Sequence, residues 1–306
     1  MSRILISGAS GPIGTELLTS FEQAGADVVR LVRGSTRGAG QISWDPMAET
    51  AAARNSSDSL SPAAVSEFDA VIHLAGESVV GRWTQAKKRA ILESRARGTR
   101  NLATALARSE SKPRVFVCAS AVGFYGNGGE TVLTENSANG VGFLPQVCRA
   151  WEEASRVAAE AGIRTVNLRI GLVMSGKGGA LQKILTPFKL GLGGRIGSGK
   201  QWWSWVHVDD ITGAVHHVLR TESLTGAVNM VAPNPVRNAE FTKVLASVLG
   251  RPAFFPVPGF ALGLAFGGPA AEELFLASQR VDPAKLRNSG YQFRFEALRG
   301  ALENLV

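Results

Sequence analysis

Three glycines spaced three residues apart lie between an apolar run and a helical pattern near the start of the chain. The motif is Gly8-Ala9-Ser10-Gly11-Pro12-Ile13-Gly14, and it follows Arg3-Ile4-Leu5-Ile6-Ser7. The first glycine permits a tight turn, the second lets a phosphate approach the backbone, and the third lets helix and strand pack closely. Free amides at the helix N-terminus bind a pyrophosphate, and Pro12 suits a first helical turn. A purely structural turn is the alternative. The motif predicts dinucleotide contacts from Gly8, Ser10, Gly11, Pro12, Ile13 and Gly14.

The end of the second predicted strand indicates which nicotinamide cofactor is preferred. An NAD-binding protein usually places Asp or Glu there to bind the ribose 2'-hydroxyl. This sequence has Leu31-Val32-Arg33-Gly34-Ser35 instead, with no carboxylate. Because a guanidinium binds a phosphate well, we expect NADP(H), with Arg33 on the 2'-phosphate. A solvated arginine on a loop is the alternative.

A motif of this kind needs a parallel sheet behind it, and the chain has the pattern for one. Apolar runs alternate with helical patterns in the first half, and runs such as Ala70 to Leu74 are apolar throughout. Such strands fit a sheet covered by helices on both faces. The sequence predicts an α/β fold with a doubly wound parallel Rossmann sheet. Strands are expected at residues 3–7, 27–32, 41–44, 70–74, 114–119, 164–170, 202–208 and 227–231. Helices are expected at residues 11–24, 84–108, 145–161, 181–190, 209–219 and 238–249 and around 270–275.

Length, composition and charge exclude several classes of protein. The chain has 306 residues, 45% hydrophobic, which excludes a disordered protein. Two cysteines cannot form a disulfide framework, which favours a reducing compartment. The net charge is +8, but no basic cluster interleaves with aromatic residues, so we expect no nucleic-acid partner.

The same survey gives expectations about location and assembly. The N-terminus does not resemble a signal peptide, and the most apolar stretch, Ala253 to Phe266, is interrupted by Pro256 and Pro258. The histidines have no metal-ligand pattern around them. We therefore expect a cytoplasmic protein, a monomer or homodimer, with no membrane partner and no metal site.

Several motifs resemble those of extended and atypical short-chain dehydrogenase/reductases. The Gly-x-x-Gly-x-x-Gly spacing is typical of them, and Leu74-Ala75-Gly76-Glu77 looks like a motif of one subgroup. That subgroup is the epimerase family proteins, related to NAD-dependent epimerase/dehydratases. The resemblance covers essentially the whole chain, and the tail, which includes residues 238–241, is similar to the C-terminal domain of unknown function of that family. Further matching stretches are residues 143–144, 148–152, 187–194, 196–199 and 205–210.

The resemblance implies a Rossmann domain with NADP(H) across the carboxyl ends of its strands. A smaller C-terminal region would form one wall of a substrate cleft. The Rossmann domain would span residues 1–172, with 205–232 returning to it, and the cap region residues 173–204 and 233–306. A cation near the pyrophosphate is favourable in itself, and a solvated helix residue is the alternative for Arg95. Beyond the glycine motif, the implied cofactor contacts are Arg33, Leu74, Ala75, Gly76, Arg95 and Val173.

The catalytic groups of this class are only partly present. Its members usually pair a Ser after the fifth strand with Tyr-x-x-x-Lys on the next helix, and the Tyr exchanges a proton with the substrate. Ser120 stands in the serine position, but the following helix has neither Tyr nor Lys. Tyr125 could point into the cleft from its glycine-rich loop, or could pack that loop. Cys148 could be reactive or a small buried hydrophobe. Glu77 should face an arginine or the substrate, because a carboxylate there would repel phosphate.

A tryptophan cluster beside two cations suggests where substrate binds. Trp202-Trp203-Ser204-Trp205 lies close to Arg195 and Lys200. Aromatic rings and fixed cations suit a flat or anionic ligand. We expect substrate contacts from Arg195, Trp202 and Trp205, and packing between the two regions is the alternative.

These observations predict an NADP(H)-dependent oxidoreductase or epimerase-like enzyme acting on a small substrate. The substrate would be a carbonyl, an alcohol or a nucleotide-sugar-like compound. The alternative is a non-catalytic NADP(H)-binding protein that senses redox state, which the missing Tyr and Lys favour.

Overall fold

The protein is represented by a computed structural model that describes residues 2–36, 38–48 and 60–306. In chain order the strands are β1 (Arg3–Ser7), β2 (Asp27–Arg33), β3 (Gln41–Trp44), β4 (Ala70–His73), β5 (Val115–Ala121), β6 (Val132–Leu133), β7 (Arg164–Ile170), β8 (Leu172–Met174), β9 (Trp202–Trp203), β10 (Trp205–His207), β11 (Gly226–Met230), β12 (Val236–Arg237) and β13 (Arg280–Val281). The helices are α1 (Pro12–Gln23), α2 (Gln85–Arg108), α3 (Phe143–Glu160), α4 (Ala180–Lys189), α5 (Val208–Arg220), α6 (Asn238–Leu249), α7 (Gly259–Phe266), α8 (Gly268–Ala271), α9 (Ala284–Asn288) and α10 (Leu298–Glu303).

One parallel sheet of seven strands organises the first part of the chain. Its order is β3–β2–β1–β4–β5–β7–β11, so the strand order reverses between β1 and β4. In open sheets of this kind, ligands bind outside the carboxyl ends of the strands at the reversal. The predicted α/β Rossmann sheet is confirmed, and by this rule the expected ligand site stays at the edge that the glycine motif occupies.

Both faces of the sheet are buried, which explains why its strands are apolar throughout. On β1, Ile4 and Ile6 pack with residues of α1 and α5 in one core cluster. Leu5, between them, packs in a second cluster with residues of α2 and α3. Side chains alternate between the faces of a strand, so each face has its own helical layer. The two layers hold the strand ends in a fixed relation to one another.

A third core lies in the C-terminal region, around the fully buried Trp205. Residues of α4, α6 and α10 contribute to it. The stretch 202–208 was predicted as one strand, and the structure divides it at Ser204 into β9 and β10. Ser204 Oγ donates to the Gln279 carbonyl at 2.7 Å and accepts from Val281 N at 2.9 Å. The division therefore has a physical cause. Ser204 binds the segment of Gln279 and Val281, whereas β9 pairs with β12 and β10 pairs with β8.

The division of the chain into two regions stays a prediction, although several contacts bear on it. β11 forms one edge of the large sheet, whereas β10 pairs with β8 outside it.

Within the described ranges, no helix combines the length and apolarity needed to cross a bilayer. In the same ranges, no group of three or more metal-ligating side chains is found.

Candidate cofactor and active site

The turn between β1 and α1 requires glycine at the first and third motif positions. Gly8 has a φ of +73°, and a Cβ on it would lie 2.8 Å from the backbone nitrogen of Ala75. A Cβ on Gly14 would overlap the carbonyl oxygen of Gly8 and lie 2.7 Å from the Cα of Ala9. The turn therefore packs directly against the segment that follows β4. Close backbone approach, which the motif predicted, is the reason for these two glycines.

The first turn of α1 has free backbone amides. Its N-cap is Gly11, no described side chain caps it, and no acidic residue lies in its first turn. Uncapped amides and the helix dipole favour a bound phosphate. Arg33 ends β2 and is exposed at the same edge of the sheet. Its charge helps to lower the pKa of Glu77, so the charges of the Arg33 and Glu77 side chains interact.

Arg95 fixes the segment after β4. Its Nη1 donates to the carbonyl oxygen of Glu77 at 2.8 Å, and its guanidinium lies 4.8 Å from the ring centre of Trp151. A Cβ on Gly76 would lie 3.1 Å from the Arg95 Cζ, so this glycine also permits a close approach. Burial lowers the pKa of Arg95. These contacts support a positioning role for Arg95, while contact with a pyrophosphate stays a prediction.

Glu77 faces a cation, but that cation is a lysine. Its Oε1 accepts from Lys87 Nζ at 2.6 Å, and that hydrogen bond is the main reason why the pKa of Glu77 is lowered. A carboxylate with a lowered pKa accepts protons poorly near neutral pH. The contact with Lys87 therefore weighs against Glu77 as a general acid or base.

His73 is the last residue of β4 and is fully buried at this edge of the sheet. Its Nδ1 lies 2.6 Å from Ser7 Oγ and its Nε2 lies 3.0 Å from Thr99 Oγ1. Burial, assisted by the charge of Arg95, lowers the pKa of His73 to about 4. The imidazole is therefore neutral at physiological pH. It links the end of β1, the end of β4 and helix α2.

A glycine-rich segment after β8 covers the start of α1, which the sequence reasoning missed. A Cβ on Gly178 or on Gly179 would lie 3.6 Å from Pro12 Cγ. Lys177 Nζ lies 2.9 Å from Glu16 Oε1 on α1. This brings a cation beside the predicted phosphate loop. Val173 precedes the segment on β8, where it pairs with Val206, and its contact with a cofactor stays a prediction.

Ser120 belongs to a buried network at the carboxyl end of β5. Its Oγ donates to Glu152 Oε1 at 2.7 Å. Arg169 donates to the same carboxylate from Nε at 2.8 Å and from Nη2 at 2.9 Å. Burial alone would lower the pKa of Arg169, but the hydrogen bonds and charge of Glu152 raise it. The two-bonded geometry is that of a strong ion pair, and it orients the serine hydroxyl.

Tyr125 extends the network, and its contacts favour the packing alternative over a catalytic role, which stays a prediction. Its hydroxyl donates to Asn229 Oδ1 at 2.6 Å and accepts from Arg169 Nη1 at 2.9 Å. The Arg169 guanidinium also lies 3.5 Å from the ring centre of Phe124. Burial raises the pKa of Tyr125. Both hydrogen-bonding partners are internal, which draws the ring away from the loop surface.

Cys148 is a buried thiol, which favours the small buried hydrophobe over a reactive group. Burial raises its pKa to about 12, so the nucleophilic thiolate is scarce near neutral pH. Cys148 and Glu152 are four residues apart on α3 and share one helix face. They therefore have the same spacing as the absent Tyr-x-x-x-Lys pair, with different chemistry.

Sequence reasoning did not select Glu152, Arg169 or Asn229. One signal was available, because Arg169 is a charged residue within Val166-Asn167-Leu168-Arg169-Ile170, a strand buried on both faces. An arginine in such a place is almost never buried without a partner. The partner itself could not be found, since Glu152 resembles the exposed acidic residues of any helix.

The tryptophan cluster packs internally. Trp205 is fully buried and its indole donates to the Asn234 carbonyl at 3.0 Å, which favours packing between the two regions over the predicted contact with substrate. The ring of Trp202 has guanidinium groups within 5 Å of its centre from Arg237 (4.5 Å) and Arg280 (4.8 Å). These contacts use part of the Trp202 ring within the chain, and its contact with a substrate stays a prediction.

Arg195 also uses its guanidinium within the chain. Its Nη1 donates to the carbonyl oxygens of Gly197 at 2.9 Å and Ser198 at 2.8 Å, which stabilises the turn that follows. The side chain remains exposed. Its contact with a substrate stays a prediction.

The C-terminal region is attached to α3 through Glu273. This residue lies in a single helical turn, Glu272–Leu276, and its carboxylate accepts from Phe143 N at 2.8 Å and Leu144 N at 2.6 Å. It therefore caps the N-terminus of α3 from outside the helix. The cap region and the helix that carries Glu152 are joined at this point.

A cavity of about 620 Å³ lies at the opposite edge of the sheet and is distinct from this site. Its lining includes Ile4, Ala70 and Val115 near the amino ends of strands, together with Arg164. The guanidinium of Arg164 donates to four carbonyl oxygens between residues 218 and 224. It closes the end of α5 and has little capacity left for a ligand.

The sheet topology, the glycine turn and the free amides of α1 define a Rossmann-fold protein with a dinucleotide-type phosphate loop. The family model described as "NAD dependent epimerase/dehydratase family" matches residues 4–230, and "Domain of unknown function (DUF1731)" matches residues 257–305. The chain belongs to the NAD-dependent epimerase/dehydratase family, and the resemblance drawn from its motifs is confirmed.

Relatives with both regions are found in bacteria, plants and mammals. "Epimerase family protein Mb2239" of Mycobacterium bovis is 36% identical over 98% of this chain and 96% of its own. "Epimerase family protein SDR39U1 homolog, chloroplastic" of Arabidopsis thaliana is 35% identical over 99% of this chain and 86% of its own. The crystal structure of human epimerase family protein SDR39U1 (isoform2) with NADPH superposes with a TM-score of 0.87 at 33% identity. That superposition covers 99% of this chain and 98% of the human chain.

Proposed function

We propose that the protein is an NADP(H)-dependent oxidoreductase or epimerase-like enzyme acting on a small carbonyl, alcohol or nucleotide-sugar-like compound. The observation that carries this proposal is the uncapped start of α1 behind the Gly8 and Gly14 turn. Arg33 is exposed at the end of β2 and would bind a 2'-phosphate, which supports NADP(H) as the cofactor. The relative crystallised with NADPH, at 33% identity, supports the same cofactor.

The cofactor would supply the hydride chemistry and the protein would position the reactants. In this proposal the phosphate loop holds the pyrophosphate, and the ends of β4 and β5 face the nicotinamide half of the cleft. Ser120 gives its one hydroxyl hydrogen to Glu152. It therefore offers a ligand only an acceptor, and it favours a group that donates, such as an alcohol hydroxyl.

This polarity suggests how an alcohol could lose its proton without the usual tyrosine. The alcohol proton would move to Ser120 Oγ while the serine proton moves to Glu152. A hydride would leave the carbon that bears the alcohol oxygen and add to the oxidised nicotinamide. The products would be a carbonyl compound and the reduced cofactor. Arg169 would hold the carboxylate in place, and its charge would oppose the transfer of a proton to Glu152, as Lys87 does for Glu77. Such a relay needs every donor and acceptor in the order that the network has.

A non-catalytic NADP(H)-binding redox sensor is the second candidate. The observation that favours it is that Ser120 and Tyr125 donate their hydroxyl hydrogens within the chain and that both side chains, like Cys148, are buried. A sensor would keep the cofactor contacts and would not need a group open to substrate. We also propose a cytoplasmic location and a monomeric or homodimeric state, noting that the Arabidopsis relative is named as chloroplastic.

Cofactor binding is tested with a matched pair of glycine variants. Gly14→Ala introduces a Cβ that overlaps the phosphate loop, whereas Gly300→Ala places one in open space on α10. We expect Gly14→Ala to weaken NADPH binding by roughly 100-fold or more, since the helix start must move away from the turn. Gly300→Ala should bind like wild type in calorimetric titration. Equal affinity of both variants would contradict the phosphate-loop assignment.

Catalysis is tested separately with cofactor-loaded protein. NADPH would be incubated with carbonyls, quinones and nucleotide sugars, and NADP⁺ with the corresponding alcohols, while absorbance reports hydride transfer. We expect turnover with at least one substrate class and its loss in Ser120→Ala with cofactor affinity unchanged. Tight cofactor binding without turnover on any member would favour the sensor.

A further inference from the structure

Two segments of the C-terminal region lie side by side and form one surface. Val257 N donates to the Arg195 carbonyl at 2.8 Å, and Gly197 N donates to the Val257 carbonyl at 2.9 Å. Gly191 approaches Pro252 as well. The loop after α4 and the segment leading into α7 are therefore neighbours in space, although about sixty residues separate them in the sequence.

This surface is unusually apolar. Residues 253–266 contain no charged side chain, and none of the residues of α7 is buried. Of ten large apolar side chains exposed in the described chain, six lie on these two segments. Single exposed apolar residues are ordinary, but a contiguous group marks an interaction surface. The six, here called the apolar patch, are 58% to 83% exposed and are Leu190, Leu192, Phe254, Phe255, Phe260 and Leu264.

The apolar patch has a cationic border. Residues 178–208 contain four Lys or Arg and no Asp or Glu, and residues 241–271, between Glu240 and Glu272, contain two Lys or Arg and no acidic residue. Lys189, Arg195 and Arg251 are exposed within three residues of patch side chains in the sequence, and Lys183 is exposed on α4, which leads into the patch. Arg195 binds two carbonyl oxygens, which leave its charge uncompensated. For the other three, the described part of the chain supplies no ion-pair partner.

We propose that the apolar patch and its cationic border dock the protein on the surface of a bilayer that contains anionic lipids. Exposed Phe and Leu side chains leave water when they enter the headgroup boundary, and nearby cations are attracted to the anionic headgroups. Helix α7 has eight residues and a length of about 12 Å, far short of the roughly 30 Å of a hydrocarbon core. It would therefore lie in the interface without crossing it.

The same charges disfavour a second copy of this chain as the occupant. A symmetric dimer brings the same patch of both subunits together, so Lys183, Lys189 and Arg251 would meet their own copies. Like charges brought together at the edge of an interface oppose association. An anionic bilayer complements both features of the surface. This departs from the expectation, drawn from the sequence, that the protein has no membrane partner.

Flotation with lipid vesicles tests the proposal. The full chain would be mixed with vesicles of phosphatidylcholine alone or of phosphatidylcholine with phosphatidylglycerol. We expect binding to the anionic vesicles, weaker binding at high salt, and much less binding to neutral vesicles. Equal binding to both kinds of vesicle, or no binding to either, would overturn the proposal.

Surface variants assign the binding to this patch. Phe254→Ser with Phe260→Ser should lower the affinity for anionic vesicles by roughly tenfold or more, and Lys189→Gln or Arg251→Gln by about fivefold each. Val141→Ser and Arg156→Gln are controls, because they remove an exposed apolar side chain and an exposed cation elsewhere. Unchanged binding by the patch variants would overturn the assignment.

Two further measurements keep the result interpretable. NADPH affinity and thermal unfolding should match those of wild type in every variant, since the changed side chains are exposed. Light scattering after size exclusion gives the mass of each protein in solution. A wild-type dimer that the phenylalanine variants dissociate would identify a second copy as the occupant and contradict bilayer docking.

Discussion

Two regions of the molecule differ in whether their polar groups already have hydrogen-bond partners within the chain. One is the carboxyl edge of the sheet beside the glycine turn, here called the phosphate-loop edge, and the other is the network around Ser120. At the loop edge the first amides of α1 are uncapped and Arg33 is exposed. Two strands away from β1, at the end of β5, Ser120, Glu152, Arg169 and Tyr125 bind one another. The first region is built to receive a ligand. The second is complete without one, so any chemistry there must work through a group whose orientation the protein already fixes.

The largest expected effect concerns the network. Arg169→Met removes the cation and leaves Glu152 with an uncompensated buried charge. We expect a loss of about 3–5 kcal/mol in the free energy of unfolding, measured by urea titration. Arg156→Gln, which breaks an exposed pair with Glu160, should cost less than about 1 kcal/mol. Similar losses in both variants would mean that the network is no more important than a surface pair.

The second effect is a pH dependence that belongs to the loop edge. The pKa of His73 is about 4 when folded, against 6.5 ordinarily, so the unfolded chain binds the proton more readily. The stabilisation is present above pH 6.5 and is lost as the pH falls from 6.5 towards 4. At pH 5 the loss attributable to His73 should be about 2 kcal/mol relative to pH 7.5.

Urea titrations at the two pH values measure this dependence. His73→Gln should flatten that part of the profile while His216→Gln leaves most of it. If His73→Gln retains the full slope, the neutral imidazole between Ser7 and Thr99 is not its source.

The third effect sharpens the claim that the loop edge is open. Arg33→Gln should weaken NADPH binding by roughly tenfold and leave NADH binding unchanged, because only NADPH carries the 2'-phosphate. Calorimetric titration with both cofactors supplies the internal control. An equal loss for the two cofactors would contradict a role in phosphate recognition.

The smallest effect tests the join between the cap region and α3. Glu273→Ala removes the carboxylate that accepts from Phe143 N and Leu144 N, and should cost about 1 kcal/mol of stability. Its exposed neighbour allows a matched control, Glu272→Ala, which should be close to neutral. Equal melting temperatures for the two variants would show that the cap adds nothing to α3.

The elements that local patterns control were predictable. Strand β1 has the predicted bounds, Arg3–Ser7, and α6 spans the predicted residues 238–249. The tryptophan stretch was less predictable, because the division at Ser204 depends on hydrogen bonds to Gln279 and Val281. Propensity and periodicity describe neighbours along the chain. They carry no information about a partner some seventy-five residues away.

The sequence by itself determined the class of fold, the family and the place of the glycine turn between β1 and α1. Those features rest on spacings of a few residues, such as Gly8 to Gly14, whose geometry is local. Only the tertiary structure decided which polar groups are already occupied. Tyr125 reads as a loop residue until Arg169 and Asn229 are seen to bind its hydroxyl, and Trp205 reads as a ligand contact until its burial is seen. Hydrogen bonds and desolvation depend on what folding brings together from distant parts of the chain.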